Sequence, residues 1–129
     1  MNKLDKKNII AVYEKAFKQE KKRRLSQPIN EIVVKQYDKT RTIKVYSKPT
    51  NGKSYLKIWL NCLENRELKT KLTKLGFRIR KHRGTGGFLI DLDMANHIGS
   101  YEEDKIAHER VADYLNELNY DVYVEGRQR

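Results

Sequence analysis

Two aspartates separated by one residue, Asp91 and Asp93, have the clearest metal-binding spacing in this chain. On a β-strand, side chains two residues apart lie on one face, so both carboxylates would point the same way. Such a pair can hold Mg²⁺ for phosphoryl chemistry, and His82 would supply an acid–base group. The simpler alternative is that the two acids pair with Arg78 and Arg80 across a hairpin. A Mg²⁺-dependent nuclease is therefore one hypothesis. The two hypotheses that we favour over it, given at the end of this subsection, need neither a metal nor a cofactor.

Residues 78–87 concentrate positive charge in front of a glycine-rich turn at 84–87. Glycines in such a turn would allow backbone amides to approach phosphate groups closely. The segment is not a P-loop, because it lacks the Gly-Lys-Ser/Thr ending and does not lead into a helix. The alternative is a charged hairpin tip that has no binding role. Because the cations are concentrated and not scattered, we favour the interpretation that this segment contacts nucleic acid.

The stretch at residues 54–60 alternates in character with a period of two, as a half-buried strand does. Its even-numbered apolar residues would face a core, and Tyr55, Lys57 and Trp59 would form the opposite face. Single-stranded nucleic acids bind faces of this kind, because bases stack on aromatic rings and phosphates attract cations. The alternative is that an N-terminal helix or an additional hairpin covers the rings and makes them part of the core.

Apolar spacing and turn residues predict the order strand, helix, strand, turn, strand, helix, strand between residues 54 and 124. Gly76 and Asn119 each follow a helix, where a left-handed residue would end it. The order is that of the ferredoxin-like βαββαβ unit, an antiparallel four-stranded sheet with its helices on one face. The predicted fold class is therefore α+β. RNA-recognition modules have a similar architecture, but their middle strands carry aromatic residues where this chain offers Asp91 and Asp93.

An N-terminal helix and an extra hairpin are predicted before this unit. The helix covers residues 4–24 and has one apolar stripe, which would dock on the domain or pair with a second copy of the chain to give a homodimer. The hairpin strands are predicted at 31–37 and 41–48, and the last strand of the chain at 120–124. The domain division is a basic helix at 1–27, one α+β domain at 28–126 and a frayed tail at 127–129.

Positive charge dominates the first two thirds of the chain, and acidic residues dominate residues 90–129. The net charge of +11 at pH 7 would orient the basic side toward a polyanion. Nucleic acid is the commonest such partner, with an anionic membrane surface as the main competitor. A basic composition also promotes solubility without any partner.

The remaining residues with reactive side chains indicate no further site. A single cysteine, Cys62, excludes an intramolecular disulfide and a thiol-based metal cluster. His108 stands beside acidic residues in the last predicted helix and is expected on the surface. There is no signal-peptide pattern and no segment of transmembrane length, so we expect a cytoplasmic protein without a membrane partner.

Three hypotheses follow. The first is a small, non-enzymatic protein that binds DNA or RNA. The second is an anti-CRISPR-like inhibitor or an accessory subunit of a nucleic-acid enzyme or ribonucleoprotein, as is common for small charged proteins of phages and mobile elements. The third is the nuclease with Asp91 and Asp93. The first assigns nucleic-acid contacts to Lys21, Lys22, Arg23, Arg24, Lys44, Tyr55, Lys57, Trp59, Arg78, Arg80, Lys81 and Arg83.

Overall fold

The computed structural model describes residues 4–26, 30–36, 39–45, 52–84, 86–92 and 101–128. The helices are α1 (Lys6–Ser26), α2 (Leu63–Lys74) and α3 (Tyr101–Glu117). The strands are β1 (Asn30–Gln36), β2 (Lys39–Val45), β3 (Gly52–Ile58), β4 (Arg78–Lys81), β5 (Phe88–Asp91) and β6 (Val122–Gln128). None of the helices within these ranges is long and apolar enough to cross a membrane.

Four of the strands form an antiparallel sheet in the order β4-β5-β3-β6, which places β3 and β5 in the middle. This is the strand order of the ferredoxin-like unit. The α+β prediction is therefore confirmed. Strands β1 and β2 pair with each other as a separate antiparallel hairpin. Residues 37 and 46–48 of the predicted hairpin strands lie outside the described residues.

The hydrophobic core lies between the helices and one face of the sheet. Leu56 and Ile58 of β3 and Ile90 of β5 have no exposed surface, as the alternation of residues 54–60 predicts. They belong to one cluster with Leu68 of α2 and Leu115 of α3. Burial of these apolar side chains therefore fixes which face of β3 turns inward.

Helix α1 packs on α3, in the layer of helices. Its apolar stripe is buried in this contact, with Ile9, Tyr13 and Phe17 at most 5% exposed. The carboxylate of Asp5 accepts a hydrogen bond from the backbone N–H of Asn8 at 2.7 Å and caps the start of the helix. The apolar side of α1 that could have served a homodimer is thus engaged within the chain.

A polar network joins α1, α3 and β3 inside this contact. The carboxylate of Asp104 accepts hydrogen bonds from the hydroxyl of Tyr13 and, at 2.9 Å, from the backbone N–H of Ser54. His108 Nδ1 donates to the backbone carbonyl of Asp104 at 2.8 Å. The surface position predicted for His108 is wrong, because α1 covers that side of α3 and leaves the residue 4% exposed.

The network makes stability depend on pH. Burial of Asp104 raises its pKa, but hydrogen bonds from His108, Tyr13 and Ser54 outweigh burial and hold the pKa below its usual value of 3.8. At pH values above the usual pKa of an aspartate, the charged carboxylate therefore stabilises the fold. This contribution to stability is lost as the pH falls through the lowered pKa. We expect the free energy of unfolding to decrease on acidification from about pH 5 to about pH 3, and Asp104→Asn to reduce that decrease.

Urea unfolding at several pH values measures this effect. Asp113→Asn is the matched control, because Asp113 lies on the exposed side of the same helix. An unchanged pH dependence in Asp104→Asn would contradict the assignment.

Strand β6 is longer than the sequence indicates. It continues to Gln128, which pairs with Gly52, whereas the sequence predicts a strand end at Val124 and a frayed tail from residue 127. The reason is that β3 begins at Gly52 and offers hydrogen-bonding partners along the whole of β6. Within β6, a Cβ atom on Gly126 would lie 2.1 Å from the hydroxyl oxygen of Tyr101, so glycine lets Tyr101 pack against the strand.

Candidate nucleic-acid interface

The face of the sheet turned away from the helices, termed the open face, holds five of the twelve predicted binding residues. Trp59, directly after β3, is 39% exposed, and Tyr123 is 51% exposed. Because α1 packs on α3, it does not cover this face. From β4 to β6, the open face comprises Arg78, Arg80, Leu89, Asp91, Tyr55, Lys57, Tyr123 and Glu125, with Trp59 at its margin.

Two aromatic rings of the open face are each in contact with a cation. The guanidinium carbon of Arg80 lies 5.1 Å from the ring centre of Tyr55. Lys57 Nζ lies 5.0 Å from the ring centre of Trp59. Both distances are within the range of a cation–π interaction. An exposed guanidinium on a tyrosine ring adds a second planar group on which a base can stack.

Lys57 belongs to the open face by its strand register but is only 4% exposed, so its predicted exposed position is wrong. Its ammonium nitrogen is 3.7 Å from a carboxylate oxygen of Glu125 and 3.2 Å from Nδ1 of His82. These contacts keep a charged group inside the protein by surrounding it with polar partners. Lys57 therefore links β6, the β4–β5 connection and Trp59, and does not present its charge at the surface.

The β4–β5 connection borders a groove of 650 Å³. The groove is lined by Arg80, Lys81, His82, Arg83, Gly84 and Leu89. Four exposed cations lie along β4 and the connection that follows it, and we refer to them as the loop cations: Arg78, Arg80, Lys81 and Arg83. The concentration of charge predicted from the sequence thus borders a concave surface.

The glycines of this connection allow the chain to turn and leave space for the ring of Trp59. The backbone N–H of Gly86 donates to the carbonyl of His82 at 3.1 Å, so this one amide is engaged inside the turn. Gly86 and Gly87 have positive φ angles of 84° and 76°, which glycine adopts without strain. A Cβ atom on Gly86 would lie 3.0 Å from the ring of Trp59. The turn therefore accommodates the tryptophan ring. The aromatic strand and the glycine-rich turn, which the sequence indicates as two separate sites, are thus in contact.

The acidic residues nearby show no metal centre. Asp91 is the cross-strand partner of Arg78, as the alternative to a metal site requires, and Asp93 lies outside the described residues. Within the described part of the chain, no group of three or more His, Cys, Asp or Glu side chains could hold a metal ion. The nuclease hypothesis therefore gains no support from the geometry.

The basic residues at the end of α1 do not join the open face. Arg24 Nε lies 2.7 Å from a carboxylate oxygen of Glu103, which is fully buried, so Arg24 contributes to the α1–α3 contact. Arg23 pairs with Glu20 of the same helix. Lys21 and Lys22 lie on the helical side of the molecule. Lys44 lies in β2 opposite Glu31.

Two residues of the interface were not identified from the sequence. Tyr123 is the cross-strand partner of Lys57 and lies on the open face; the alternation of β6 around it could have indicated this. Fully buried Asn65 donates hydrogen bonds to the carbonyls of Trp59 and Asp121 at 2.8 and 3.0 Å. It therefore fixes the backbone of Trp59 to α2. Nothing in the local sequence distinguishes it from an exposed helical asparagine.

The open face thus combines exposed aromatic rings with cations in contact with rings, and a cationic groove borders it. Comparisons with protein-family models, curated proteins and solved structures find no match for this chain. The open face itself is therefore the basis on which a function can be inferred.

Proposed function

We propose that this protein binds single-stranded nucleic acid on the open face and catalyses no reaction there. The observation that carries the proposal is the position of Trp59 and of the Tyr55–Arg80 pair beside a groove lined by cations. Aromatic faces can stack on bases only where the bases are unpaired and turned outward. A duplex hides those base faces, so its phosphates could interact with the cations of this surface but its bases could not stack on the rings.

The spacing of the two rings fits more than one nucleotide. Tyr55 and Trp59 are four residues apart at the end of β3, which corresponds to about 13 Å along an extended chain. Each base that stacks on a ring contributes about 1–3 kcal/mol to binding. Bases stacked at both positions would therefore contribute substantially without any sequence preference.

The charge distribution indicates where the phosphates would lie. The loop cations lie on and after β4, at one edge of the sheet, whereas Glu125 and Asp121 lie at the β6 edge. Glu125 is in contact with Lys57, and Asp121 accepts a hydrogen bond from the hydroxyl of Tyr123. A strand bound along the β4–β5 side would place its phosphates on the loop cations and its bases toward Tyr55 and Trp59.

A salt titration tests this function. Affinity is measured for single-stranded DNA, single-stranded RNA and duplex DNA of equal length at several salt concentrations. We expect single strands to bind more tightly than the duplex, with log affinity falling linearly as log salt rises. Equal or tighter binding of the duplex would contradict stacking on the open face. Absence of binding to all three would favour the hypothesis of an inhibitor or accessory subunit that acts on a protein or ribonucleoprotein.

A further inference from the structure

Helix α1 presents a row of lysines on the side opposite its buried face. The exposed members follow helical spacing, so they form one stripe along the helix. At 1.5 Å per residue the stripe is about 22 Å long. We refer to it as the α1 stripe; its members are Lys7, Lys15, Lys18 and Lys22.

A shallow, open depression formed by α1 residues alone lies at the C-terminal end of the α1 stripe. It has a volume of 440 Å³ and is lined by Lys18, Lys21, Lys22, Leu25 and Ser26. Leu25 is 53% exposed. The end of the stripe therefore combines ammonium groups with an exposed apolar side chain, as a contact for a phosphate and an adjoining base requires.

The α1 stripe and the open face lie on opposite sides of the sheet. Helix α1 packs on α3, which packs on β3 and β6 from the side of the core. Of the loop cations, Arg78 and Arg80 of β4 lie on the other side, on the face that carries Tyr55. One molecule thus has two separate cationic surfaces, each with neighbouring apolar or aromatic groups.

We propose that the α1 stripe binds a second nucleic-acid strand while the open face holds the first, so that the protein accelerates the annealing of complementary strands. The proposal rests on the proposed function of the open face. Two strands repel each other through their phosphates, and cations on both sides of one protein reduce that repulsion and raise the local strand concentration. The outward side of α1 lacks the row of Trp, Phe and Leu residues that an interfacial membrane helix inserts, and Ala11 and Gln19 stand between its lysines.

The test is the rate at which two complementary DNA strands anneal, followed by energy transfer between a donor on one and an acceptor on the other. We expect the wild-type protein to raise this rate by about tenfold or more at low salt. A variant with Lys15→Gln, Lys18→Gln and Lys22→Gln is expected to lose most of the acceleration. A matched control carries Lys39→Gln, Lys74→Gln and Lys105→Gln, which removes the same charge from exposed positions outside the stripe and should keep the acceleration.

Quenching of Trp59 fluorescence by one non-complementary strand reports on the open face separately. A stripe variant that keeps this quenching but loses annealing supports the proposal. A stripe variant that anneals as fast as the control overturns it. Loss of affinity for a single long strand in proportion to the lost annealing also overturns it, because one strand would then wrap around both surfaces. Absence of quenching in the wild type would contradict the proposed function as well.

Discussion

Replacing all four loop cations by glutamine is expected to lower the affinity for a single strand by about a hundredfold at low salt. Each cation that neutralises a phosphate releases a counterion, and each contributes about 0.7 to the salt slope for single strands. The slope of log affinity against log salt should therefore decrease by about 3 in the variant. Anisotropy of a labelled oligonucleotide at several salt concentrations measures both quantities.

The matched control removes four charges from the other side of the molecule. Glutamine at all four positions of the α1 stripe gives the same change in net charge without touching the open face. For an oligonucleotide too short to reach both surfaces, this control should retain the wild-type affinity and salt slope of the open face, followed by quenching of Trp59 fluorescence. Equal losses in the two variants would show that net charge alone determines binding, and would contradict an interface at the open face.

Arg24→Ala is expected to lower the free energy of unfolding by about 3–5 kcal/mol, the largest effect on stability that we anticipate. The substitution leaves the carboxylate of Glu103, which has no exposed surface, without the guanidinium 2.7 Å away. A buried charge that loses its partner is far more costly than an exposed one. Urea unfolding at neutral pH measures the change.

Two further variants separate this role from a contact with nucleic acid. Arg23 lies one residue earlier in the chain and pairs with Glu20 at the surface of the helix. Arg23→Ala should therefore change the free energy of unfolding little. A double variant, Arg24→Met with Glu103→Leu, replaces the buried pair by apolar side chains and should recover most of the lost stability. Its salt slope for a short single strand should equal that of the wild type. A reduced slope would show that Arg24 contacts phosphate after all.

The elements of this fold follow from local patterns in the sequence. The alternation at residues 54–60 indicates which face of β3 is buried, and the helical stripe of α1 indicates the side that packs on α3. Gly76 and Asn119, predicted as left-handed ends of helices, have φ angles of 95° and 72°. Such features depend on neighbours within a few residues, so the sequence is sufficient to identify them.

The positions of charged side chains could not be predicted in the same way. Arg24 is one of four consecutive basic residues, and its hydrogen bond to Glu103, 79 positions later, makes it part of the interior. Lys57 alternates correctly along its strand, yet Glu125, His82 and Trp59 enclose it. The burial of a charged side chain is determined by partners that the fold brings together, and the local spacing of residues in the sequence does not identify those partners.

The contact between Trp59 and the glycine turn is a further consequence of the fold. The sequence indicates an aromatic strand and a basic glycine-rich segment as two separate sites. The antiparallel pairing of β3 with β5 brings the start of β5 beside the end of β3, so the turn before Phe88 meets the ring after Ile58. The result is one continuous surface.

Fluorescence of Trp59 during titration with a single-stranded oligonucleotide shows whether a strand binds at the open face, because Trp59 is the only tryptophan of the chain. The open-face interface predicts quenching that saturates together with the anisotropy of the labelled strand, that is reversed by salt, and that is lost in the loop-cation variant. Binding detected by anisotropy with unchanged Trp59 emission would contradict it, since the strand would then lie elsewhere on the protein.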